Sequence, residues 1–352
     1  MKNIAIDTPA GPSHIWVGER LSRLPHYLPS ENAIMVTDHR VAELYAPVLP
    51  CLPCIRIGRG ETIKNLETIE RIYRELIALE ANRSTFLVGI GGGIVCDVTG
   101  FAAATYMRGV PCGYVATTLL AQVDASVGGK TGVNVAGYKN MAGVFRQPRF
   151  VICDPMVLKT LPASEISNGM AEIVKHAAIQ DARMFAFLED RAQDARRLNP
   201  AVIERLVTDS VVIKARIVNQ DEKESGLRRK LNFGHTFGHA VEKISGLPHG
   251  AAVSIGMAAA AFIAREKGRL SQKESARLIR LLKRLDLPTT IALEPDALFD
   301  AVIKDKKREH DRLNFVLLDG IGKAVVESIA LAELRRFTRR MFAAGGSPAD
   351  ET

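Results

Sequence analysis

Residues 86–100, FLVGIGGGIVCDVTG, decide the fold. An apolar run of strand length ends in four glycines within five residues, and a helix start follows at once. Glycines let backbone N–H groups approach a pyrophosphate, and the N-terminus of the following helix favours its negative charge. The stretch therefore reads as a dinucleotide-binding turn. Its spacing departs from G-x-G-x-x-G, because Ile94 stands where the third glycine belongs. Close packing of a strand on a helix is the ordinary alternative for such a turn.

Outward from this turn, short apolar runs alternate with helical patterns up to about residue 160: AIMVTD, LETIERIYRELIALEA, GYVATTLL and RFVICD are examples. Alternation of this kind predicts a parallel α/β sheet with Rossmann-like winding over residues 1–160. From Ala163 onward ASEISNGMAEIVKHAAIQD, NPAVIERLVTDSVVIKARIVNQ and SQKESARLIRLLKRLDL carry helical period and capping residues. Residues 161–352 therefore read as a mainly helical domain. RLNFVLLDGIGKAVVES departs from that pattern and predicts a hairpin around Asp319-Gly320, and the tail AAGGSPADET reads as frayed.

At 352 residues and 47% hydrophobic content, the chain can bury a core in each of two domains. The N-terminus reads as a strand and turn rather than a signal peptide. The longest nearly apolar run, Ala251 to Ala264, is shorter than the roughly 20 residues of a membrane span; it reads as a buried helix of a cytoplasmic protein. Five cysteines without framework spacing fit reduced thiols, and Cys51 and Cys54 of CLPC lack the second CxxC of a zinc site. A net charge of +8 raises the question of nucleic acid, yet ARLIRLLKRL and LRRFTRRMF place their charges at helical spacing, as on solvated helix faces. Small anionic substrates also fit the excess.

Three further motifs carry chemistry. DASVGGKTGVN is not a phosphate loop of the G-x-x-x-x-G-K-[ST] kind, because Asp124 stands at its first glycine. What remains is Lys130, close in sequence to Lys139 and Asn140, either as an anion cradle or as a surface turn with solvated lysines. In NGMAEIVKHA, Glu172, Lys175 and His176 share a helix face, which suits an intrahelical ion pair or a carboxylate metal ligand. NFGHTFGHAVEKISGLPHG lacks the H-E-x-x-H pattern, but His235 and His239 leave one helix on the same side and His249 follows ten residues later. Glu172 with any two of these imidazoles would match a catalytic zinc site with three protein ligands and an open position. Hydrogen-bonded structural histidines are the alternative.

Taken together, GGGIVCDVTGFAAATYMRG, TTLLAQVDASVGGKTGVN, GYKNMAGVFRQP, LKTLP, NGMAEIVKHA and LRRKLNFGHTFGHAVE resemble, in order and approximate spacing, the motifs of the 3-dehydroquinate synthase family of sugar-phosphate cyclases. The resemblance runs from VTDHRVAELY to VLLDGIG, nearly the whole chain. It implies a Rossmann-like domain followed by a helical one with the active site in the cleft between them, a homodimer, NAD, and one divalent zinc or cobalt ion. The implied reaction converts 3-deoxy-D-arabino-heptulosonate 7-phosphate to 3-dehydroquinate and phosphate: transient oxidation at C5, elimination, reduction by the same NADH, and an aldol closure. A metal beside the nicotinamide makes the alcohol easier to oxidise by polarising its oxygen.

Residue by residue, the resemblance implies Glu172, His235 and His249 as metal ligands, with His239 near the phosphate. Lys130, Asn140 and Lys306 or Lys307 match the rest of the phosphate end, with Arg108 of TYMRG reaching from the other subunit. Lys214, Arg228 and Asn232 match the carboxylate and ring-hydroxyl end, Arg being the better fork for a carboxylate. Asp124 and Lys175 match contacts to substrate hydroxyls, and Glu224 a residue supporting them. For NAD, Asp38, Glu61 and Lys64 match adenosine contacts, Gly91, Gly92, Gly93 and Asp97 the pyrophosphate turn, and Thr117, Thr118 and Lys139 the nicotinamide side. One departure stands out: the family usually has HGE after the last ligand, and here Ala251 replaces the carboxylate, which predicts a looser His249 or altered metal affinity. The rival readings are a cyclase acting on sedoheptulose 7-phosphate or glucose 6-phosphate, a metal-dependent polyol dehydrogenase, and a catalytically dead binding protein.

Overall fold

The computed structural model describes residues 1–29, 32–305 and 311–342. The chain begins with a hairpin, β1 (Lys2–Thr8) and β2 (Gly11–Val17), and continues through β3 (Ala33–Asp38), α1 (His39–Tyr45), β4 (Cys54–Ile57) and α2 (Leu66–Ala78). The glycine turn joins β5 (Phe86–Gly91) to α3 (Gly93–Thr105), and β6 (Cys112–Ala116), β7 (Lys130–Val135), β8 (Tyr138–Phe145) and β9 (Phe150–Cys153) follow. Seven of these strands form one sheet in the order β1-β2-β9-β6-β5-β3-β4. It is parallel except for β1, which pairs antiparallel with β2.

β5 and β6 are buried at every residue, as expected of parallel strands covered on both faces, and this explains their unbroken apolar runs. Val88, Ile90, Val115 and Ile152 meet in the core on one side of the sheet, each contributing about 1.5–3 kcal/mol relative to exposure. The winding reverses between β3 and β5, because the chain steps outward from β3 to β4 and returns to β5 on the other side of β3. Ligands of open α/β sheets bind at the carboxyl ends of strands at such a reversal. Asp38 ends β3 and Gly91 ends β5 there.

β7 and β8 form a separate antiparallel hairpin where the sequence suggested an anion cradle or a surface turn. Lys130 pairs with Phe145 at its open end, while Asn140 lies across from Asn134 near the tip. About four residues of strand, roughly 13 Å at 3.4 Å per residue, separate Lys130 from Asn140. Lys130 and Asn140 therefore stand at opposite ends of one hairpin.

The remaining elements are helical apart from one hairpin: α4 (Ala163–Gln180), α5 (Ala182–Arg196), α6 (Pro200–Gln220), α7 (His235–Ser245), α8 (His249–Glu266), α9 (Gln272–Arg284), α10 (Pro295–Asp305), β10 (Arg312–Leu318), β11 (Ala324–Ala330) and α11 (Leu331–Phe342). β10 and β11 pair antiparallel around Asp319-Gly320, as the sequence predicts. The chain forms two compact units, one of Met1–Pro162 with Ile203–Lys223 and one of Ala163–Val202 with the residues from Glu224 onward. Most of α6 thus joins the first unit rather than the helical half to which a single cut at residue 160 assigns it. It is fastened to the first hairpin there: Asp7 N donates to Asn219 Oδ1 at 3.0 Å, and Thr8 Oγ1 donates to Glu222. Among the described residues no helix is long and apolar enough to cross a membrane. All five cysteines are free thiols, and Cys54 begins β4. The tail 343–352 and the Lys306/Lys307 pair lie outside the described residues.

Candidate functional site

In the first unit the glycine turn admits no side chain. A Cβ on Gly91 would lie 2.4 Å from Val95 Cγ2, and one on Gly93 would lie 2.9 Å from Ala125 Cβ. Among the described residues no side chain caps the N-terminus of α3 at Gly92, which suits its first N–H groups to a ligand. Thr117 is tied to the turn through its N–H to Gly91 O at 2.9 Å, and Thr118 caps the next turn by accepting from Ala121 N at 3.1 Å. These residues fit a pyrophosphate.

Beside the turn lies a polar cluster. The nearly buried Lys64 Nζ donates to Asp97 Oδ2 and Asn140 Oδ1, each at 2.5 Å. Glu61 accepts from Asn134 Nδ2 at 2.8 Å, and Asn134 Oδ1 accepts from Asn140 N at 2.9 Å. Burial lifts the Asp97 carboxyl above its ordinary value although Lys64 lies against it. Glu61, Lys64, Asp97 and Asn140 are thus brought together, with Asn134 as a connector that sequence reasoning passed over inside a motif it had quoted. Asp38 is committed in part elsewhere: its Oδ1 accepts from Val41 N at 3.0 Å as the cap of α1.

Asp124 sits on a π-turn (Ala121–Ala125), where Lys214 of α6 donates to its Oδ1 and its main-chain O, each at 2.5 Å. Lys130 and Lys139 are exposed. Arg108 is also exposed, and its φ of 71° follows 48° at Met107 and precedes 121° at Gly109. Non-glycine residues at positive φ store strain, and such strain gathers at functional positions. Asn140 and Glu224 share this feature, with φ of 54° and 60°.

In the second unit, α4 is buried almost all round instead of on one face, and Glu172 is 0% and Lys175 1% exposed on it. His235 begins α7 and His249 begins α8. α7 and α8 approach closely at glycines, since a Cβ on Gly256 would lie 1.8 Å from Gly234 O. Donor atoms of Glu172, His235 and His249 lie within 4.8 Å of one another. Glu172 Oε1 stands 3.7 Å from His235 Nε2 and 3.5 Å from His249 Nε2, and Lys175 Nζ lies against Oε2. Both oxygens of this buried carboxylate thus lie against cationic or imidazole groups, as a buried charge requires.

The electrostatics suit a metal. Burial alone would raise the Glu172 carboxyl, but Lys175, and after it His249, hold it well below the usual carboxylate range. Burial and Lys175 push His235 well below its ordinary value, so it is neutral, as a ligand must be. Burial also opposes the charge on His249, yet hydrogen bonds to Glu172 and Glu242 lift it to about 9; a divalent cation can take that proton's place. His235 Nδ1 lies 3.2 Å from Phe233 O, which leaves Nε2 for a metal. One carboxylate and two imidazoles therefore fit zinc or cobalt.

His239 is outside this donor set, half-buried, with its ring centroid 5.3 Å from that of His235 and 6.4 Å from that of His249. The three histidines are thereby separated. Arg228, 2% exposed, and Asn232 share the short helix Leu227–Asn232, and Asn232 Nδ2 donates to Glu224 Oε1. Two residues absent from the sequence reading complete the centre: Glu242, facing His249, and Asn168, whose Oδ1 accepts from Gly250 N at 2.9 Å.

Fold and site define a class: a two-domain protein joining a doubly wound, nucleotide-type sheet to a helical half that can hold a metal on one carboxylate and two imidazoles. Models of the 3-dehydroquinate synthase N-terminal and C-terminal regions match residues 54–168 and 169–308. A 3-dehydroquinate synthase of Symbiobacterium thermophilum is 42% identical over 314 residues, 86% of this chain and 88% of the relative. A structure of 2-deoxy-scyllo-inosose synthase complexed with carbaglucose-6-phosphate, NAD+ and Co2+ superposes with a TM-score of 0.86 at 29% identity, covering 96% of this chain and 99% of that one. A 2-epi-5-epi-valiolone synthase from Streptomyces hygroscopicus, with NAD+ and Zn2+ bound, gives 0.85 at 28% identity over 96% of both chains. The chain belongs to the 3-dehydroquinate synthase family.

Proposed function

We propose that this chain converts 3-deoxy-D-arabino-heptulosonate 7-phosphate to 3-dehydroquinate and phosphate, a carbon–oxygen lyase by outcome with no net redox change. The observation that carries the reading is the Glu172, His235 and His249 cluster in a chain of this family. NAD, when bound at the glycine turn, accepts a hydride and later returns it. Zinc or cobalt, when bound by Glu172, His235 and His249, polarises the substrate oxygen.

The chain's own side chains supply charge and orientation. Lys175 keeps Glu172 ionised in its buried position. Lys214 fixes Asp124 on the π-turn as an acceptor for a substrate hydroxyl, and Glu224 orients the Asn232 amide. Arg228 offers its planar fork to the substrate carboxylate, which neither sedoheptulose 7-phosphate nor glucose 6-phosphate possesses. Lys130, Asn140, His239, Arg108 of a second copy and Lys306 or Lys307 are assigned to the phosphate, and Asp38, Glu61, Lys64, Asp97, Thr117, Thr118 and Lys139 to NAD. The working form is a cytoplasmic homodimer.

Phosphate release measured with the three sugar phosphates, with and without chelator, tests substrate and metal together. Release only from the heptulosonate phosphate, abolished by chelator and without NADH accumulation, is the expected result. Turnover of sedoheptulose 7-phosphate alone, or net NADH from a polyol, overturns the assignment.

A further inference from the structure

A metal-binding imidazole has to be held in one tautomer, and the two histidines of this centre achieve that differently. His235 faces the main-chain carbonyl of Phe233, which the backbone fixes in place. His249 has Nε2 toward Glu172 and Nδ1 3.3 Å from Oε2 of Glu242, near the end of α7. A carboxylate at Nδ1 selects the Nδ1–H tautomer, leaves the Nε2 lone pair for the metal and makes it more basic.

Ala251 is where the family usually carries a carboxylate, yet it cannot take this role on the present backbone. It lies two residues beyond His249 on α8, about 200° round the helix at roughly 100° per residue, so its side chain leaves on the side away from the imidazole. Glu242 instead reaches His249 across the corner between α7 and α8. That corner is fixed by the close backbone approach at Gly256 and by Asn168, which holds the N–H next to His249.

We propose that Glu242 is the positioning residue for His249, and that Ala251 leaves the metal site intact. This rests on the reading of Glu172, His235 and His249 as metal ligands. The test strips the full-length chain with chelator and titrates it with Zn2+ against a chromophoric competitor. Visible absorption of the Co2+ form and melting of the metal-free chain are followed in parallel. Glu242→Gln should bind zinc about 10- to 100-fold more weakly and shift the cobalt bands, with metal-free melting falling by less than the lost affinity, because Glu242 also faces His249 when no metal is bound. Glu242→Asp should recover part of the affinity, and Ala251→Glu should bind zinc as the parent does.

Zinc binding by Glu242→Gln within about twofold of the parent, well short of the loss expected for an orienting carboxylate, overturns the inference while leaving the ligand set standing. So does a tenfold tightening in Ala251→Glu, or a fall in metal-free melting of Glu242→Gln that matches its lost affinity, which would assign Glu242 to packing. A parent chain that binds no zinc removes the ligand reading itself, and this inference with it.

Discussion

Lys175 is the cation on which the buried carboxylate of Glu172 depends when no metal is present. Removing one partner of a buried ion pair costs about 3–5 kcal/mol, because the other charge is stranded. Lys175→Met, which preserves most of the volume, should therefore destabilise the metal-free chain by that amount in urea unfolding. Saturating zinc should recover the larger part, since a divalent ion can neutralise the same carboxylate. An equal loss with and without zinc would mean that Lys175 acts only through packing. At this scale the sequence was informative where one motif held the partners: Glu172 and Lys175 are a turn apart, and His235 and His249 fourteen residues apart in one stretch. It was silent on Glu242, whose side chain meets His249 only because two helices turn a corner between them. Nor did it reveal that Arg108, Asn140 and Glu224 occupy left-handed backbone.

Single elements differ in how much of their placement is local. α9 is wholly local in origin: Ser271 caps it by accepting from Glu274 N, and Glu274 returns a bond to the Ser271 N–H. Glu274 also accepts from Ile321 N at 3.1 Å in the β10–β11 turn, so a helix cap fastens a hairpin. Replacing a cap costs about 1 kcal/mol, and Glu274→Ala should lower the melting temperature accordingly. Hydrogen bonding from Ser271 holds the Glu274 carboxyl below its ordinary 4.5 in spite of burial. Its contribution is complete above about pH 4.5 and fades as pH falls through the folded-state value, so the difference between parent and variant should shrink in acid. A difference that grows in acid would contradict this sign. The β7–β8 hairpin is the opposite case: its pairing is interrupted near Val133 and Val135, and Asn134 is held by Lys64 O through its N–H. A strand defined by such remote partners leaves little alternation to read.

For the whole molecule, the division into two units with separate cores assigns each ligand its own part of the stability. The glycine turn belongs to the unit built on the parallel sheet, and the carboxylate–imidazole centre to the helical unit. A ligand that binds only the folded state stabilises what it binds by RT ln(1 + [L]/Kd), about 2.7 kcal/mol at a hundredfold excess over Kd. Amide exchange through sub-global openings reports this region by region. Zinc alone should slow exchange in α4, α7 and the start of α8 by about that free energy, while β5 and the start of α3 exchange as before. NAD alone should give the reverse pattern. Adding both should bring the two protections together without either exceeding its separate value. If zinc alone protected the glycine turn as strongly as its own helices, the two units would open as one, and the assignment of a separate stability to each ligand would fail.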